Sequence, residues 1–86
     1  MYYVYILENN NYSTWYIGYS SDLRKRIENH NNGKGGKTTK QGKSWKLIYY
    51  EAYLNKEDAI GRETFLKSGA GYRFINKQLS HYLKKP

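Results

Sequence analysis

Five side chains in this chain have types that chemistry uses, at spacings that packing alone does not ask for. In "SDLRKRIENH" the helical step of about 100° per residue puts Leu23, Arg26, Ile27 and His30 on one arc, while Arg24, Lys25 and Glu28 point away. In "NKEDAIGRETFL" the same counting places Glu63 with Ala59 and Leu66. Upstream, Tyr5 and Tyr16 stand on two strand-like runs that lead into the helix carrying Arg26. A guanidinium, an imidazole, a carboxylate and phenols in one pocket suit phosphodiester cleavage. That reaction needs a base to generate hydroxide, a cation against the phosphoryl charge and help for the leaving oxygen. A tyrosine ionises only near about pH 10, so it needs a cation beside it to act as the base.

Packing offers a second account of the same residues. Arg26 and His30 can lie at the edge of an apolar stripe, with stems packed and heads in water. A carboxylate on a dry face costs several kcal/mol unless it finds a partner. For Glu63 that partner is either an internal cation such as Arg26 or a hard metal ion. Mg²⁺ sites often use only one or two carboxylates, with waters completing the shell.

The elements that must position these groups are readable from periodicity. "YYVYIL" (2–7) reads as a strand and "WYIGY" (15–19) as its return, with Gly18 permitting a close approach just before the helix. Ser20 or Ser21 is expected to cap that helix, with Asp22 in its first turn and its end near Asn31. "WKLIYYEAY" (45–53) reads as a third strand, and Asn55 as the cap of a helix from about Lys56 to Lys67. "SGAG" is expected to break it. A terminal amphipathic helix follows, with Phe74, Ile75, Leu79, Tyr82 and Leu83 on its apolar side. The order β-β-α-β-α-α describes an α/β domain of the α+β kind, a small three-stranded sheet covered by helices, as one domain over residues 1–86.

Composition bounds the partners. The formal net charge is +8, and the chain carries eleven Tyr and two Trp. The excess is concentrated between residues 22 and 46. There "KGGKTTKQGKSWK" reads as a glycine-rich loop with Lys34, Lys37, Lys40, Lys43 and Lys46 and no acid. Such a segment favours a polyanion, held through its phosphates with little reading of sequence. The absence of cysteine excludes a disulfide scaffold or a Cys-based zinc site. No apolar run is long enough for a signal peptide or a membrane span. The expected setting is the cytoplasm, on the nucleoid.

The same residues resemble the GIY-YIG nuclease superfamily, in particular its small stand-alone bacterial members. "YVY" at 3–5 is similar to the Gly-Ile-Tyr triplet, "YIG" stands verbatim at 16–18, and an arginine follows eight residues after Gly18. "EAYLNKEDAIGRETFLKSGAGYRFI" resembles the acidic helix and its exit. Tyr19 stands where the excision-repair branch, typified by the N-terminal nuclease domain of the repair excinuclease, has lysine. The resemblance implies Tyr5 and Tyr16 as the motif tyrosines, one of them base or water positioner. It also implies Arg26 at the scissile phosphate, His30 assisting, and Glu63 holding one Mg²⁺ or Mn²⁺. Gly18 and Asn76 would support them. The implied substrate is DNA (branched, nicked or flapped) more than RNA. The leading expectation is therefore a structure-selective or weakly sequence-specific endonuclease of repair or recombination. A non-catalytic DNA- or RNA-binding module, and an interaction module with a structural Glu63–Arg26 pair, are the other two readings.

Overall fold

Strand β1 (Tyr2–Asn9) is the most apolar element and occupies the middle of the sheet, where both of its faces can be covered. Strand β2 (Thr14–Ser20) and strand β3 (Trp45–Tyr53) flank it antiparallel, in the order β2-β1-β3. The structure is a computed structural model that describes residues 1–9, 14–32 and 45–84. Helix α1 (Leu23–Asn31) connects β2 towards β3; helices α2 (Lys56–Leu66), α3 (Gly69–Gln78) and the single-turn α4 (Ser80–Leu83) follow. The expected order β-β-α-β-α-α is found, with the last helix divided at Leu79.

Alternation along β1 sends its side chains to two different cores. Val4 and Ile6 meet Ala59, Leu66 and Ile75 from α2 and α3. Tyr5 and Leu7 meet Trp45, with Tyr16, Leu23 and Ile27 packed around them on the α1 side. All four consecutive residues Val4 to Leu7 are fully buried, as a central strand covered on both faces requires. A bulge in β3 between the partners of Ile6 and Leu7 turns Ile48 and Tyr49 together onto the Val4/Ile6 side.

Local chemistry explains the helix ends and corrects two expectations. Asp22, not Ser20 or Ser21, caps α1: its carboxylate accepts from the Lys25 amide at 3.1 Å. The charged cap satisfies an orphan donor and complements the helix dipole, while Ser20 instead hydrogen-bonds the Asp22 backbone. Asn55 caps α2 as expected, accepting from the Glu57 amide at 2.8 Å. "SGAG" ends α2 and also begins α3. Ser68 caps α3 by accepting from Gly71, so the helix starts three residues before Tyr72.

One polar network fixes α2 against the sheet. Arg62 donates from Nε and Nη2 to the two carboxylate oxygens of Glu51, at 2.9 and 3.0 Å, and lies over the rings of Phe65 and Phe74. Tyr49 and Tyr53 donate to the same carboxylate. Burial pushes the Glu51 carboxyl up, but the bonds from Arg62, Tyr49 and Tyr53 together outweigh it and hold it below the usual range.

The α2–α3 corner depends on the missing side chain of Gly71, where a Cβ would lie 2.1 Å from the Phe65 carbonyl oxygen and 2.5 Å from Leu66 Cα. Gly61, in the middle of α2, faces open space. Gly71→Ala is expected to destabilise the fold by about 1–3 kcal/mol through overpacking. Gly61→Ala should stabilise it by about 1 kcal/mol through helix propensity. Urea unfolding of the two variants checks both signs.

Candidate active site

The site begins with a cross-strand pair. Tyr5 lies opposite Gly18, and its ring crosses the strand at that point, where a Cβ on residue 18 would stand 2.7 Å from the Tyr5 hydroxyl and 3.0 Å from Tyr16 Cε1. The approach that Gly18 permits is therefore that of Tyr5. The phenol is carried past β2 to its edge, where α1 supplies two partners. Arg26 Nε donates to the Tyr5 hydroxyl at 3.2 Å, and His30 Nε2 lies 3.2 Å from the same oxygen. Tyr16 packs on the imidazole with ring centroids 4.5 Å apart and, with Tyr5, stabilises the guanidinium.

Electrostatics separate these groups by role. Burial pushes the Tyr5 phenol above its ordinary pKa despite the Arg26 hydrogen bond, and the Tyr16 and Glu63 side chains oppose its ionisation as well. Glu63, on the helix packed against the Val4/Ile6 side, is the weakest of these influences. His30 is fully buried, and burial together with the Arg26 charge lowers its pKa to about 4. Its imidazole is neutral at physiological pH, with Nε2 on Tyr5 and no hydrogen-bond partner for Nδ1 among the described residues.

Arg26 forms no ion pair with a carboxylate among the described residues, so the direct Glu63–Arg26 pair does not occur. Glu63 pairs instead with Lys67 one turn on, Nζ to Oε2 at 3.0 Å, and its side chain is 18% exposed. Arg26 faces outward onto a groove of about 360 Å³ bordered by Tyr2, Tyr19, Ser20, Ser21 and Lys56. A phosphate therefore has a way to the guanidinium.

The donor set limits how a divalent ion could be held. Among the described residues no three His, Cys, Asp or Glu side chains converge, so a protein-only cage does not fit. One half-buried carboxylate does fit the way Mg²⁺ is held, by one or two carboxylates, waters and substrate oxygens. Glu63 is the carboxylate that could hold the ion, with its Oε2 already paired with Lys67.

Other expected contact residues lie elsewhere. Lys34, Lys37, Lys40 and Lys43 fall outside the described residues. Lys46 is exposed but lies over the Tyr82 ring, 5.4 Å from its centroid, beside Glu8 on the face away from Tyr5. Asn76 donates to the Tyr72 carbonyl in its own helix and lines a separate groove together with Lys67. Two residues had no signal in periodicity. Trp45 packs near His30, with centroids 6.3 Å apart, and Asn31 clamps the Trp45 backbone to the end of α1 through both its amide nitrogen and its oxygen. They close the inner wall behind the imidazole.

Because His30 is neutral in the fold and ordinary when unfolded, the unfolded chain binds more protons between about pH 4 and 6.5. Stability tied to His30 is full above the upper value and falls as pH drops through that window, by on the order of 3 kcal/mol. Urea unfolding from neutral to acid pH should show this loss, and His30→Gln should flatten that part of the curve.

Comparison with known proteins places the chain in a family. Residues 1–80 match the GIY-YIG catalytic domain. The chain is 45% identical over 65 residues to a UPF0213 protein of Streptococcus pneumoniae, covering 76% of this chain and 65% of that protein. It is 42% identical over 55 residues to the UPF0213 protein YazA of Bacillus subtilis, covering 64% of this chain and 56% of the relative. It therefore spans somewhat less than two thirds of the length of these relatives. A UPF0213 protein of Bacillus halodurans, solved by solution NMR, superposes with a TM-score of 0.55 at 34% identity, over 91% of this chain and 85% of its own. With the catalytic-domain match over nearly its whole length, and the expected three-stranded sheet flanked by helices, the chain belongs to the GIY-YIG family.

Proposed function

We propose that this protein is a divalent-metal-dependent DNA endonuclease. The observation that carries the reading is the shared Tyr5 hydroxyl. It accepts from an arginine that faces an open groove, and it touches a neutral histidine. Arg26 has its Nε fixed on Tyr5 and faces the groove, and a planar fork of donors binds a phosphate well. Tyr5 is the wholly buried phenol and holds Arg26 and His30 in register. Tyr16 is half-buried, lies beside both cation and imidazole, and is assigned to the attacking water.

His30 serves as the neutral partner of the Tyr5 hydroxyl and its proton. A Mg²⁺ ion on Glu63, when bound, would supply charge stabilisation for the phosphoryl oxygens. The Lys67 ammonium keeps the Glu63 carboxylate paired. One such site addresses one phosphodiester at a time, so the expected product is a nick.

The decisive experiment uses duplex, nicked, flapped and branched DNA with Mg²⁺, with Mn²⁺ and with chelator. Cleavage should require metal, and Glu63→Gln should lower it by about 10²–10³-fold while DNA binding persists. If no substrate is cut with either metal and salt-sensitive binding remains, the chain is a binding module instead. Gly18→Ala, which forces the Tyr5 phenol off β2, should leave a folded protein whose cleavage falls by at least about tenfold.

A further inference from the structure

A second cavity, of about 510 Å³, lies on the α2/α3 side of β2, within the range of small-ligand sites. One wall is aromatic. Trp15 on β2 and Tyr72 on α3 approach with ring centroids 5.6 Å apart at an interplanar angle of 43°. Trp15 is pinned there, since its indole donates to Glu8 Oε2 at 3.1 Å. Tyr72 is 60% exposed, a large ring left in water at the mouth of the groove. The remaining border is mixed: Ile17 and Ile75 are apolar, Asn76 presents an amide oxygen with no hydrogen-bond partner among the described residues, and Lys67 adds a cation.

Lys67 also joins this groove to the candidate active site, because its ammonium is the one paired with Glu63. At the far end of β2 the groove beside Arg26 begins at Tyr19. The edge strand therefore carries an aromatic groove near Trp15, bordered by the Lys67 that pairs with Glu63, and a cationic groove at its exit. Residues 15 to 20 of a strand extend about 17 Å, several nucleotides' worth of path.

We propose that the Trp15–Tyr72 groove holds an unpaired nucleobase of the DNA strand that lies across Glu63. The ring walls fit a base face, since stacking on exposed aromatics is how unpaired bases are held. The Asn76 amide meets a base edge, and Lys67 meets the adjoining phosphate. A fully paired duplex keeps its base faces stacked and cannot enter. The groove thus selects single-stranded, flapped or branched DNA over continuous duplex. A lipid or an apolar peptide segment fits poorly beside Lys67, Asn76 and Glu8 in a chain of net charge +8.

The identity of the polymer rests on the endonuclease reading, so the test is run in chelator, where no cleavage is needed. A short oligothymidylate is titrated into the isotope-labelled full chain while the two indole N–H resonances are followed. The Trp15 signal and the amides of Tyr72 and Asn76 should shift and saturate. The Trp45 signal, on the opposite face, should move little, and a blunt hairpin duplex should leave Trp15 unmoved. Tyr72→Ala should weaken oligothymidylate binding about tenfold or more, whereas Tyr72→Phe, which keeps the ring, should bind as the parent does. A Tyr72→Ala variant that binds as tightly as the parent would overturn the proposal. So would oligothymidylate binding that leaves Trp15 untouched, a duplex that shifts Trp15 equally, or no binding of oligothymidylate. None of these outcomes depends on whether the protein cuts DNA.

Discussion

The hydroxyl of Tyr5 is the point on which the arrangement turns. It is buried, it cannot be left unpaired at low cost, and it finds its two side-chain partners on α1, in Arg26 and His30. This pairing explains how a guanidinium stays on the inner arc of a helix without a carboxylate partner. Its Nε is satisfied by a phenol, which leaves the positive charge unspent. Neutralisation by an ion pair would have fixed Arg26 equally well and removed its use for a phosphate. The cost falls on the phenol and the imidazole, whose ionisation burial opposes in both cases.

Two separate cores make this possible. The Val4/Ile6 side is dense and carries α2 and α3, with α2 locked by the Glu51–Arg62 network and the Gly71 corner. The α1 side is smaller, and the Tyr5 hydroxyl, Arg26 and His30 meet within it. Glu63 belongs to the first side and acts across the edge of β2 on the second. Rigid placement of α2 fixes where that carboxylate stands, since packed elements hold positions better than loops do.

The edge strand β2 then acquires a double duty. An unpaired edge is a liability unless something covers or uses it. Here its two side-chain faces contribute to different surfaces: Tyr16 and Gly18 to the candidate active site, Trp15 and Ile17 to the aromatic groove. A nucleic-acid strand lying along that edge would meet cation, carboxylate and aromatic wall in sequence. Positive net charge favours a polyanion, and under the proposed reading local geometry would decide which part of it fits.

Much of this was legible in residue order. Strand alternation, the helical arcs and the cap at Asn55 are local properties, fixed by backbone geometry within a few residues. The element order and the odd presence of Arg26, His30 and Glu63 on inner faces could therefore be read directly. The position of α3's start could not, because glycine's poor helix propensity was overruled by a contact only Gly71 can make with the turn before it. Nor could the partners of the charged groups be known. Arg26 with Tyr5, Glu51 with Arg62 and Lys46 with Tyr82 are choices among several opposite charges and rings, settled by strand order and by which helix covers which face, whereas Glu63 with Lys67 is a local pair one helical turn apart. One-dimensional spacing says which side of its own element a side chain occupies; what stands opposite is decided only when elements distant in the chain are packed together.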